Sequence, residues 1–169
     1  SGQHGLPLTT INTSTLNVEV YRIGDRNLAS TLQSGDFQRS LSSYELEQIR
    51  ERTGQRVYHG VLETQSKLNE EVATAFPISE AVGKLETGVY LLSASIKSAG
   101  GGDGERDTRK HASQWFIVSD LGLSALSGRD GVHVFVRSLE TARVVGRTKV
   151  RLVARNNEVL GEATTDERG

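Results

Sequence analysis

Apolar residues in this chain return at every second position, segment after segment, and that period decides what it can fold into. Leu16, Val18 and Val20 alternate with Asn17, Glu19 and Tyr21, which predicts a half-buried strand. Val72, Thr74 and Phe76 alternate up to Pro77. Gly88 opens the strongest strand signal. Tyr90, Leu92, Ala94 and Ile96 fall on one face, and Val89, Leu91, Ser93 and Ser95 on the other, so this strand is expected to be central and covered on both sides. Further strands are read at Val57 to Thr64, through Trp115 and Ile117, and at 121–126, 132–139, 148–155 and 158–164, with Asn156-Asn157 as a turn. Strand signals without alternating helices predict an antiparallel β-sandwich.

One insertion breaks the pattern. Leu28 to Phe37 carries no alternation, and a helix is predicted over Ser42–Thr53. Ser42 and Glu45 have the spacing of a capping box, and Leu41 can staple onto Leu46. Ile49 continues the apolar stripe, and Glu47, Arg50, Glu51 and Arg52 are read as its solvated face. Gly54 is expected to end the helix as a left-handed cap. A single helical turn is read at Ser79–Val82.

The chain is read as two units. Residues 1–119 form a β-sandwich domain with a helical insertion. Residues 120–169 begin a second β-sandwich that is only about half the usual size and is expected to be truncated. Without its missing strand, the second unit should leave a sheet edge and an apolar face drawn from Val134, Val136, Val150 and Leu152 open, and so self-associate.

Composition narrows function by exclusion. A net charge of −1 gives no basic field for nucleic acid or anionic lipid. The absence of cysteine excludes disulfides, thiolate zinc sites and cysteine nucleophiles. No signal-peptide pattern is visible, and runs such as Val89-Tyr90-Leu91-Leu92 are too short to span a bilayer. Asp103, Glu105 and Asp107 alternate in a glycine-rich loop, but a closing glutamate is missing and Arg106, Arg109 and Lys110 oppose a cation. That loop is read as a hairpin tip. His4, His59, His111 and His133 are dispersed, and no nucleophile elbow, S-x-x-K pair or H-E-x-x-H occurs. Asn12-Thr13-Ser14 matches a glycosylation sequon. Catalytic, cofactor-binding and metal-binding residues are therefore all expected to be absent, and the chain is read as not an enzyme.

The joint carries a family resemblance. Trp115, Val118, Ser119, Asp120, Leu121, Gly122 and Leu123 are followed by Val134-Phe135-Val136 and Ser138-Leu139. Gly146, Val150, Leu152, Asn156-Asn157-Glu158-Val159-Leu160, Thr164-Thr165-Asp166 and Gly169 complete the series. This run resembles the macroglobulin-domain junction of bacterial α2-macroglobulins. Upstream, Leu6-Pro7, Thr9-Thr10 and Asn12 precede Val18, Val20-Tyr21-Arg22 and Asp25-Arg26-Asn27-Leu28, similar to the start of the preceding domain in that family. The resemblance implies a scaffold fragment of a large periplasmic protein that traps proteases, with a parent tethered to the inner membrane as a lipoprotein. Partners implied are neighbouring domains of the parent, and proteases through the full-length parent. Some members of the family carry a thioester on a C-x-E-Q element, which a chain without cysteine cannot hold. The later half also looks like intimin-type and transthyretin-like sandwiches, so the alternative reading is an immunoglobulin-like repeat of a bacterial adhesin or surface protein.

Overall fold

The computed structural model describes residues 5–24, 27–28, 31, 35, 37, 39–96, 111–154 and 156–169. The first unit is built on a four-stranded antiparallel sheet in the order β3-β2-β5-β6, comprising β2 (Thr15–Ile23), β3 (Gly54–Glu63), β5 (Gly88–Ile96) and β6 (His111–Val118). β1 (Leu6–Ile11) pairs with β4 (Glu71–Phe76) in a separate two-stranded sheet.

The two faces of the large sheet serve two cores, as the alternation on β5 dictates. Leu16, Val18, Val20, Tyr90, Leu92 and Ala94 point one way and meet Leu8 and Phe76 of the β1–β4 sheet, which makes a sandwich. The turn α2 (Ile78–Ala81), one residue earlier than its sequence reading, closes that core with Ile78, Ala81 and Val82. Tyr90 and Phe116 stack within it at 5.3 Å between ring centroids. Tyr21, Ile23, Val89 and Leu91 point the other way and are covered by the helical insertion through Leu41, Leu46 and Ile49. Burying each large aliphatic side chain of this kind contributes about 1.5–3 kcal/mol. Trp115 lies on this second face, half-buried against Phe37 at 5.6 Å between ring centroids, so it anchors the insertion and not the inner sandwich core.

The insertion confirms the capping box and corrects the helix end. α1 (Ser43–Gln48) starts at Ser42, whose Oγ accepts from the Glu45 N–H while Glu45 Oε2 accepts from the Ser42 N–H at 2.8 Å. Beyond Gln48 the chain widens into a π-helical turn, Ile49–Thr53. Gly54 is not a left-handed cap: at φ −103° and ψ 133° it is already extended, the first residue of β3. Glycine is required there for closeness. A Cβ would lie 2.8 Å from Ile49 Cγ2 and 3.0 Å from the Ile49 carbonyl oxygen.

β3 starts three residues before its sequence reading because a bulge breaks its alternation. Val20 pairs with Tyr58 and Tyr21 with Arg56, leaving Val57 unmatched. Two consecutive side chains, Val57 and Tyr58, therefore both reach the sandwich core.

The second unit consists of two antiparallel hairpins. β7 (Leu121–Gly128) pairs with β8 (Gly131–Ser138), and β9 (Lys149–Val153) pairs with β10 (Val159–Thr164). The two-residue loop Arg129-Asp130 joins the first pair, and Asn157 takes a positive φ of 68° in the turn of the second. The Asp103, Glu105 and Asp107 loop lies outside the described residues.

Candidate interaction surface

His59 stands exposed on β3, and His133 bonds Asp130 Oδ2 at 2.9 Å in the β7–β8 turn. His111 donates through Nε2 to the Leu41 carbonyl at 2.8 Å, and the Leu41 N–H donates to Ser113 Oγ at 3.0 Å. These two bonds clasp the start of the insertion to β6, which is a structural task. Asn12 of the sequon is bonded to Asn69, accepting from its backbone N–H at 2.7 Å. Among the described residues no group of three or more His, Cys, Asp and Glu is placed to hold a metal ion, and no helix is long and apolar enough to cross a membrane.

Arg50, read from sequence as part of a solvated face, is instead tied to the sheet. Its guanidinium donates to the Glu19 carboxylate and, through Nε, to the Tyr21 hydroxyl at 3.1 Å. Arg56 adds a second cation to Glu19 at 3.4 Å. Burial, then the Glu19 charge, raises the Tyr21 hydroxyl above its ordinary pKa. Alternation alone does not reveal this pair, because Glu19 occupies a position that reads as a polar strand face.

The joint is fixed by Asp120. Its Oδ1 accepts from Ser138 Oγ at 3.0 Å and from the Glu140 N–H at 2.9 Å, and its carbonyl accepts from the Leu139 N–H. The D-L-G-L signature was visible in sequence, but the reach of its aspartate to the far end of β8 was not.

The exposed apolar side chains gather in the second unit. Leu123 and Val132 fall on one face of β7–β8, where register also places Val134 and Val136. Leu152 and Leu160 add to the exposed set from β9–β10. Expectation and structure differ at Val136, which is 1% exposed. Its backbone is paired by later chain: the Val136 N–H donates to the Gly169 carbonyl at 2.9 Å, and the Val145 N–H donates to the Val136 carbonyl. Gly169 fits with a φ of 82°, and a Cβ there would stand 2.7 Å from the Val136 oxygen. Val134 and Val150 are half-buried, and Leu152 is open as expected.

Comparison with known proteins identifies this architecture. Residues 1–109 match the family model described as "Bacterial alpha-2 macroglobulin MG2 domain". Residues 118–169 match "Bacterial alpha-2-macroglobulin MG3 domain". The chain belongs to the bacterial alpha-2-macroglobulin family. Among its relatives, the alpha-2-macroglobulin of Escherichia coli K12 is 24% identical over 165 residues, covering 98% of this chain and 10% of that protein. The alpha-2-macroglobulin of Xylella fastidiosa Temecula1 is 25% identical over 174 residues, covering 99% of this chain and 10% of its own length. This chain thus spans about a tenth of the length of these curated relatives. In solved structures, the native E. coli alpha-2-macroglobulin fragment spanning domains NIE-MG1 shares the fold, with a TM-score of 0.75 at 23% identity. That match covers 98% of this chain and 76% of the fragment. The macroglobulin reading of the joint therefore stands over the adhesin alternative.

Proposed function

We propose that this chain is a scaffold piece of a broad-spectrum protease-trapping protein of the bacterial periplasm, whose parent is anchored at the inner membrane. The observation that carries the reading is the succession of an MG2 match and an MG3 match along one chain. The two macroglobulin-like units are 1–119 and 120–169. The chain supplies architecture and no chemistry of its own: it is not an enzyme and uses no cofactor. Its partners are the neighbouring domains of the parent, which cover the exposed apolar side chains of 120–169, and proteases are met only through the parent. Nucleic acid is not a partner, in keeping with the near-neutral charge.

The test compares the isolated chain with the full-length parent. The parent should shield trypsin from a large protein substrate, while the isolated chain neither shields it nor hydrolyses ester or peptide substrates. Stoichiometric protection by the isolated chain would overturn the scaffold reading. Fractionation of cells expressing the tagged parent should place it with the inner membrane facing the periplasm.

A further inference from the structure

The bonding parity of the β7–β8 hairpin leaves one strand edge open along its length. In an antiparallel pair, successive opposite residues alternate between exchanging backbone bonds and turning those groups outward. The Leu139 N–H donates to the Asp120 carbonyl, which makes that pair a bonded one. Leu121, Leu123, Ala125 and Ser127 therefore hold the outward positions of β7. The other strand agrees: the Val136 and Ser138 N–H groups point away from β7, to the carbonyls of Gly169 and Arg143. Later chain thus occupies part of the outer edge of β8. On the outer edge of β7, the Leu121 N–H is the one group bonded among the described residues, to Ser119 Oγ. Every residue of β7 except Gly122 is exposed.

Exposed edges are ordinarily blunted by charge, proline or a bulge. β3, at one edge of the large sheet, has both Arg56 and the bulge at Val57. β7 has none of these: its sequence LGLSALSG holds no charge and no proline, and its register with β8 runs without a shift. The strand is also complementary to itself. The antiparallel register that matches all four outward residues of two copies is centred on Ser124. Leu121 then faces Ser127, Gly122 faces Leu126 and Leu123 faces Ala125, so each leucine meets a small residue and no like charges oppose.

We propose that the outer edge of β7 is a strand-addition site whose occupant is β7 of a second copy of this chain. The two copies meet about a twofold axis at Ser124 and form a four-stranded sheet, β8-β7-β7-β8. The apolar face of Leu123, Val132 and Val134 becomes continuous across it. Such a contact uses the same surface on both chains and closes after two. The pairing is a property of the chain itself and does not rest on the scaffold reading.

The experiment uses the 169-residue chain. Sedimentation over a range of concentrations should show a monomer–dimer equilibrium. Ser124→Cys introduces a single thiol into a chain that has no cysteine. At the twofold the two thiols oppose each other in a non-bonded pair, with Cα atoms about 4.5 Å apart, a separation a disulfide can bridge. Mild oxidation should convert this variant to a covalent dimer. Leu126→Cys should stay monomeric on the same treatment, because its two copies lie four residues apart along the strands, about 13 Å. Ala125→Pro removes an outward N–H without breaking the ladder to β8, and should weaken dimerisation about tenfold or more. A monomer at every concentration, as when the edge serves a segment of another protein, would overturn the proposal. So would cross-linking of Leu126→Cys as readily as Ser124→Cys, or dimerisation indifferent to Ala125→Pro.

Discussion

The guanidinium of Arg50, on the π-helical turn, is bonded to the carboxylate of Glu19, on the central strand β2. The bond crosses from insertion to sheet, and both side chains are largely shielded, at 21% and 13% exposure. Glu19→Gln leaves Arg50 with no full counter-charge from the sheet. The expected loss is about 2 kcal/mol, between the values for exposed and fully buried pairs, read by chemical denaturation.

Tyr21 shares that cluster and sets an alkaline limit. Its pKa is raised in the fold, mainly by burial, so its contribution is intact below its unfolded value near pH 10 and is lost as pH rises through the folded value. Stability measured from pH 9 to 12 should fall, and Tyr21→Phe should flatten that fall.

Ser42→Ala removes the cap of α1 and should cost about 1 kcal/mol, read as a lower thermal midpoint. Its box partner titrates at the acid end. Bonds from Arg39, then from the Ser42 backbone and side chain, hold the Glu45 carboxyl down to about 2. That contribution is present above the unfolded value of about 4.3 and disappears as pH falls toward 2. In Glu45→Gln the acid slope between pH 4.5 and 2 should be shallower.

Gly54→Ala should destabilise the first unit by about 1–3 kcal/mol, because the added methyl group overlaps Ile49 while the backbone angles stay permissible for alanine. A neutral outcome in thermal unfolding would show that Ile49 can shift without cost.

Asp120→Ala should act on the second unit alone. Ser138 Oγ and the Glu140 N–H lose their acceptor, at about 1–3 kcal/mol, and amide exchange should accelerate at Leu139–Thr141 while β5 keeps its protection. In the same unit, Leu123→Lys tests the exposed face: sedimentation of the unmodified chain should show concentration-dependent association that this variant removes.

Strands with faces of plain chemical contrast could be read from sequence. β5 announces two covered faces through Tyr90 and Leu92 on one side and Val89 and Leu91 on the other, whereas β2, read as half-buried, is covered on its second face too through Tyr21 and Ile23. The Ser42–Glu45 box is local and could be read without tertiary knowledge. What escaped is non-local or breaks parity. The bulge at Val57 puts two neighbouring side chains into one core, which a period of two forbids. Gly54 carries the usual mark of a helix cap, yet its role comes from the closeness of Ile49. Val136 reads as part of an open strand face, yet it is buried, and its N–H is paired with Gly169, more than thirty residues later. At the joint, Asp120 was legible as a boundary, but its partners lie at the far end of a hairpin.

Only Ser119 and Asp120 stand between the end of β6 and the start of β7. Three consecutive Cα steps span at most about 11 Å, and the Leu121 N–H folds back onto Ser119 Oγ at 3.0 Å, shortening that reach. Such a joint has no slack. A pull on β7 is felt at once by β6, whose eight-residue ladder with β5 runs from Val118 back to His111. With two residues between them, a displacement of β7 reaches the four-stranded sheet through its edge strand β6.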